Sequence, residues 1–274
     1  MSTPLSATSG SWLNKAYRQL ENAGIGTARL DALVILEDCL GKDRALVLAH
    51  PEQILSLVLL KRLNTQLNQR TKHIPLSYIR HKSEFYSRDF FVDKRVLEPR
   101  PETETMIDLF NQLPIEDNTK IADVGTGSGC IGITIQLENP KLKVVLYDID
   151  RQALAVARLN VKRFKLNVNC YQADLLEPNH GPYQTILANL PYVPANYHVN
   201  AEALIEPRRA IFGGQDGLDI YRQLFQQISG FDWQPSYILT EALPFQHKQL
   251  ENLAEKNHFQ LINTSDFIQC FERF

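Results

Sequence analysis

Residues 121–133 read IADVGTGSGCIGI, and this stretch decides the fold. A short apolar run ends at an acid, Asp123, passes through Gly125, Gly127 and Gly129, and resumes as an apolar helical pattern. Glycines at such a turn permit positive φ and let a ligand approach the backbone closely. The helix start behind them offers unpaired N–H groups. The surrounding sequence has the same grammar. From about Thr119, strand-like runs at 120–124, 143–147, 167–171, 185–188 and 236–240 alternate with helical patterns at 131–137, 151–164, 218–228 and 245–256. That alternation predicts an α/β domain, a mostly parallel Rossmann-like sheet covered by helices on both faces. Its ligand is expected beyond the carboxyl ends of the strands.

Two further acids support a nucleoside-type pocket. Asp148 closes the next strand in VVLYDID (144–150), at the distance expected for a carboxylate gripping ribose hydroxyls. Asp174, in QADLLEP (172–178), is placed to approach an adenine edge, with Leu175 as an apolar wall. Gly127, Gly129 and Gly132 spell the dinucleotide fingerprint GxGxxG, so a dinucleotide stays open. Two features favour S-adenosyl-L-methionine. Asp123 stands where a carboxylate holds the ligand's α-amino group and repels a pyrophosphate. The loop also alternates without a break, Gly125, Thr126, Gly127, Ser128, Gly129.

The chain before this domain reads as helices. Trp12, Leu13, Ala16, Tyr17 and Leu20 recur at helical spacing and stop at Gly24. Thr27 is expected to cap a second helix closed by Gly41, Asp43 a third, and Ile54 through Leu67 supply another apolar stripe. Phe85, Phe90, Phe91 and Val96 around a polar turn suggest a β-hairpin, after which Pro99 and Pro101 break regular structure. The expected organisation is a small helical domain at 1–82, a hairpin linker at 83–101 and the α/β domain at 102–274.

The 274 residues are 44% hydrophobic and 22% charged, with a formal net charge of -2. That balance gives no overall drive toward nucleic acid or membrane, although residues 61–100 are locally basic. Cys39, Cys130, Cys170 and Cys270 lie far apart, with no CxxC pair, which suits reduced thiols in a cytoplasmic protein. No HExxH spacing supports a metal. The opening MSTPLSATSGSW lacks a signal-peptide pattern, and no run is long enough to span a bilayer.

The fourth strand ends in ILANLPYVP, residues 186–194. It delivers Asn189 and Tyr192 into a proline-stiffened turn beside the expected pocket. An amide nitrogen is a poor nucleophile because its lone pair is delocalised into the carbonyl. A site that alkylates one must fix both N–H groups, and two oxygen acceptors suffice. Asn189 offers the first and the Leu190 carbonyl the second. Pro191 restricts Leu190 to extended geometry, and Tyr192 is expected to pack on the planar substrate group. No strong base is required, because the proton becomes acidic once the nitrogen gains its methyl group.

These residues resemble the HemK/PrmC family, protein-(glutamine-N5) methyltransferases of class-one peptide chain release factors. HIPLSYIRHKSEFYSRDFFVDKRVLEPRPETE (73–104) looks like the family's linker, the glycine loop like its cofactor motif, and IEPRRAIFGGQDGLDIYRQL (205–224) like its later characteristic stretch. The resemblance implies a seven-stranded S-adenosylmethionine-dependent methyltransferase domain, with the cofactor at Gly125 to Gly129, Asp148, around Leu175 and at Asn189. It further implies that Asn189 through Tyr192 grip the glutamine of the release factor's GGQ motif, and that the helical domain helps hold the release factor. Nucleic-acid binding is not required. Three positions depart from the family. Leu190 stands where Pro is usual, Leu175 where an aromatic is frequent, and SDFIQCFERF (265–274) matches the final strand poorly. Asn-Leu-Pro-Tyr also resembles adenine-N6 methyltransferases of RNA or DNA, and a catalytically silent homologue is the third reading. The chain's own GGQ, Gly213 to Gln215, falls where the family has a Gly-Gly-acid loop.

Overall fold

The structure, a computed structural model, describes residues 7–274. The part of the signal-peptide expectation that rests on residues 1–6 lies outside the described residues. The chain divides into two compact units at His81/Lys82.

The first unit is helical: α1 (Ser9–Asn22), α2 (Ala28–Leu40), α3 (Arg44–Ala49), α4 (Leu57–Arg70) and α5 (Leu76–Arg80). A reciprocal pair starts α1, with the Thr8 side chain accepting from Ser11 N and Ser11 Oγ accepting from Thr8 N. Trp12, Ala16 and Leu20 then line its buried face, four residues apart. Asp43 caps α3 through Leu46 N at 2.9 Å, and Gly41 ends α2 in the left-handed conformation. Thr27 precedes α2 but makes no side-chain cap. Ile54 lies outside the fourth helix, which Ser56 caps. Arg70 on α4 and Asp31 on α2, both almost fully buried, pair at 2.6 Å, and Arg70 also donates to the Ile74 carbonyl.

The second unit opens with a hairpin, β1 (Ser83–Phe85) and β2 (Arg88–Phe90). Tyr86 and Ser87 both take positive φ, as a tight two-residue hairpin turn demands. The hairpin is not a free-standing linker. Phe85 and Phe90 are fully buried in a core with Met106, Phe110, Ile121 and Leu187. After α6 (Glu104–Phe110) come β3 (Lys120–Val124), α7 (Cys130–Glu138), β4 (Lys143–Asp148), α8 (Arg151–Arg163), β5 (Asn169–Gln172) and β6 (Thr185–Ala188). The unit finishes with α9 (Asp219–Ser229), β7 (Tyr237–Glu241), α10 (His247–Glu255), β8 (Phe259–Ser265) and β9 (Ile268–Arg273).

Seven strands form one sheet in the order β5-β4-β3-β6-β7-β9-β8. The first five are parallel, and β9 runs antiparallel to both β7 and β8. Alternate residues feed opposite layers, as the strand period of two requires. Val144 and Leu146, Leu187 and Leu239 face one core, while Val145 and Tyr147, Ile186 and Ile238 face the other. The C-terminal stretch, despite its poor match to the family, closes the sheet, with Ile268 through Phe271 buried beside β7. Chain order reverses direction between β3 and β6, and the crevice beyond their carboxyl ends is where such sheets bind ligands.

Replacing Asp31 by Ala removes the buried carboxylate that faces the Arg70 guanidinium in the helical unit. That change is expected to destabilise the unit by about 3–5 kcal/mol. Native-state hydrogen exchange should show lost protection in α2 and α4, with the sheet amides unchanged.

Candidate functional site

The loop after β3 is tied to its neighbour strand by Thr126 N, which donates to the Tyr147 carbonyl at 2.8 Å. Gly127 holds φ +56°, and a Cβ there would meet nothing within 4 Å, so its backbone is open to a ligand. Its N–H already donates to Asp148 Oδ2 at 2.9 Å. Asp148 Oδ1 accepts from Asp150 N at 2.8 Å, and burial raises the carboxyl's pKa above its ordinary value. A pyrophosphate at this loop would therefore meet a carboxylate in place of a free amide. The chemistry suits a ligand with ribose hydroxyls and no phosphate, as S-adenosylmethionine is.

Asp123 is placed beneath the loop, fully buried and outside the cavity wall. Its Oδ2 accepts from Thr126 Oγ1 at 2.5 Å and from Gly132 N at 2.9 Å. The acid expected to meet a ligand's amino group thus fastens the loop to the first turn of α7. Its Oδ1 is buried without a hydrogen-bond partner among the described residues, and burial raises the group to about 6. Gly132 serves close packing, since a methyl there would lie 2.4 Å from Leu146 Cδ2.

A cavity of about 360 Å³ lies over these strand ends, within the usual range for small-ligand sites. Gly125 through Ser128, Asp148, Asp174 and Leu175 line it, and Asn189 through Pro191 form another wall. Leu175 is buried at φ +57°, in a turn where Asp174 and Glu177 exchange backbone hydrogen bonds. Cys130 also lines the cavity, but burial pushes its thiol up to about 12, which keeps it protonated. Gly129 and Tyr192, both expected at the site, do not line the cavity.

Asn189 leaves β6 half-buried at the cavity wall. Its Nδ2 donates to Glu241 Oε2 at 2.9 Å and to Thr103 Oγ1 at 3.2 Å. Neither its Oδ1 nor the Leu190 carbonyl takes a hydrogen bond from the described residues. The Tyr192 hydroxyl, expected to serve a substrate, donates to Glu241 Oε1 at 2.9 Å. Behind the turn lies the chain's GGQ loop. A methyl on Gly213 would fall 2.1 Å from the Pro191 carbonyl oxygen, so only glycine fits against the turn. Gln215 is exposed and does not line the cavity. Gln246 Nε2 holds the Tyr192 and Asp216 carbonyls, both at 2.8 Å.

Sequence reasoning did not single out Glu241, Thr103 or Asn160. Asn160 is fully buried on α8 and uses its whole amide, accepting from Phe91 N and donating to the Phe91 and Ser128 carbonyls. Glu241 ends β7, so the expectation that ligands gather at strand ends was the available signal for it.

Residues 11–80 match the family described as PrmC N-terminal domain, and residues 103–209 match the Methyltransferase small domain. The chain is 37% identical over 222 residues to the release factor glutamine methyltransferase of Koribacter versatilis, covering 78% of this chain and 79% of that protein. It is 32% identical over 265 residues to the release factor glutamine methyltransferase of Dictyoglomus turgidum, covering 93% and 91%. Among solved structures, the 16S rRNA N2 G1207 methyltransferase of T. thermophilus superposes with a TM-score of 0.52 at 14% identity, over 70% of this chain and 50% of that one. That likeness is one of fold.

Asp123 and Glu241 both hold their protons more tightly when folded, at about 6 and about 7 against ordinary values of 3.8 and 4.5. Their contribution to stability is complete below the ordinary values and is lost as pH rises through the folded ones. Melting temperature is expected to fall between about pH 4 and pH 7 on this account. The fall should shrink in Asp123→Asn.

Proposed function

The chain belongs to the family of release factor glutamine methyltransferases, and from that membership we infer that it transfers a methyl group from S-adenosylmethionine to a release-factor glutamine, at the side-chain amide nitrogen. The observation that carries the reading to particular residues is the pair of available oxygens, Asn189 Oδ1 and the Leu190 carbonyl, on one short turn at the cavity wall. When bound, S-adenosylmethionine supplies a methyl carbon made electrophilic by its sulfonium.

The protein's own part is positioning. Asp148, the Gly125–Ser128 backbone and Leu175 line the cavity; Asp148 and that backbone would hold the nucleoside, with Leu175 as an apolar wall beside its base. Asn189 Oδ1 and the Leu190 carbonyl each accept one N–H of the substrate glutamine. This fixes the amide plane and pushes electron density toward its nitrogen. The nitrogen sheds its proton to water after alkylation, so no buried base is needed. The substrate is the glutamine of the release factor's GGQ motif, and the protein works in the cytoplasm. Docking of the release factor falls in part to the helical unit, where Ile54, Leu57 and Val58 stand 67%, 85% and 82% exposed. Among the described residues, no helix is long and apolar enough to cross a membrane.

The test is incubation with labelled S-adenosylmethionine and, separately, a class-one release factor and structured RNA. Label on the release-factor glutamine supports the reading, whereas label on RNA alone overturns it. Asn189→Ala is expected to lower turnover roughly a hundredfold, the usual loss for one transition-state hydrogen-bonding group. Calorimetric titration should show cofactor affinity largely retained.

A further inference from the structure

A carboxamide has nearly the same shape when its oxygen and nitrogen are exchanged, so Asn189 needs something that chooses between them. In the orientation present, both Nδ2 hydrogens are taken, by Glu241 Oε2 at 2.9 Å and Thr103 Oγ1 at 3.2 Å. The Thr103 hydroxyl gives its own hydrogen to the same Glu241 oxygen at 2.7 Å, which leaves it an acceptor toward Asn189. The second Glu241 oxygen accepts from the Tyr192 hydroxyl. An ionised carboxylate accepts and never donates, so it faces the amide nitrogen and rejects the amide oxygen. A flipped Asn189 would set N–H against the N–H of an incoming amide.

Glu241 is also in an expensive place. It is 1% exposed, and no Lys or Arg forms an ion pair with it among the described residues. Its carboxylate faces the hydroxyls of Thr103 and Tyr192, the amide of Asn189 and the like charge of Glu102, while the Tyr221 hydroxyl meets its backbone. Burying an unpaired carboxylate for packing alone is unfavourable. We propose that Glu241 is the positioning residue that orients the Asn189 carboxamide, with Thr103 as its relay, so that Oδ1 faces the substrate amide. This rests on the role given to Asn189 above.

Burial raises Glu241 to about 7, with the Thr103, Tyr192 and Asn189 hydrogen bonds pulling the other way. Protonation turns one of its oxygens into a donor and removes the preference for the amide nitrogen. Wild-type kcat should accordingly fall as pH drops below about 7.

The experiment compares wild type, Glu241→Gln, Asn189→Ala and the double variant, with S-adenosylmethionine and a purified class-one release factor. Glu241→Gln is expected to lower kcat by about 10- to 100-fold, in line with losing a charged hydrogen-bond partner. Release-factor KM and cofactor Kd should stay within about threefold, and the acid limb near pH 7 should disappear. In the Asn189→Ala background the same substitution should cost less than about threefold, because coupled residues are not additive. A full second loss in that background, or an acid limb that survives Glu241→Gln, overturns the proposal. So does a kcat loss matched by an equal loss of cofactor affinity. Wild-type turnover in Asn189→Ala would instead overturn the reading of Asn189 itself. If Glu241→Gln does not fold, Thr103→Val replaces it, with about a tenfold loss in kcat expected and no further loss on Asn189→Ala.

Discussion

One phenolic hydroxyl holds the carboxyl ends of two neighbouring strands in register. Tyr221, fully buried on α9, places its oxygen 2.9 Å from the Ala188 carbonyl and 2.6 Å from the Glu241 carbonyl. The same oxygen lies 3.4 Å from Leu190 N and 3.3 Å from Glu241 N. The last residues of β6 and β7 are where the sheet ladder runs out, and the Tyr221 oxygen sits among the backbone groups of both ends. Backbone groups left unpaired are unfavourable in a dry interior. The single Tyr221 O–H is shared between the two carbonyls while its lone pairs face the two N–H groups, and Asn189 and Glu241 leave their strands facing one another. The placement of the Asn189–Pro191 turn in the cavity wall, with the Glu241 carboxylate behind it, goes with that closure.

Much of this was legible in the sequence because the relevant signals are local. Glycine alternation marked the loop, and short strand-like apolar runs marked β3 and β6 to the residue. Asp148 was expected at a strand end and closes β4. Asn189 followed by Leu-Pro-Tyr marked the turn. What stayed hidden is what topology supplies. Glu241 reaches Asn189 across 52 positions of sequence and Thr103 across 86, and no spacing rule connects them. Their meeting depends on β6 lying beside β7, with Thr103 carried just ahead of α6. Asp123 and Tyr192 show the complementary difficulty. Their residue types pointed to ligand contact, yet each is used by its own neighbourhood, Asp123 by Thr126 and Gly132, Tyr192 by Glu241. A polar side chain at a strand end serves either the ligand or the loop that receives it, and sequence alone does not separate the two.

The electrostatics of the site are those of a positioning device. Asp123 and Glu241 are both raised by desolvation, and each is held by hydroxyl or amide donors rather than by a matched cation among the described residues. Amide alkylation does not ask either of them to act as a strong base. The cavity-lining Cys130 is silenced in the same way, by burial.

Asn160 bears on how such proteins are recombined. With every polar atom of its carboxamide engaged, it fastens Phe91 to Ser128, so the hairpin region and the glycine loop are one mechanical piece. Module exchange between homologues must respect this. A graft of a foreign helical bundle spliced after the hairpin would sever that piece and leave Asn160 facing mismatched backbone, whereas a seam ahead of Lys82 transplants the bundle and keeps Phe91, Ser128 and Asn160 on one native segment.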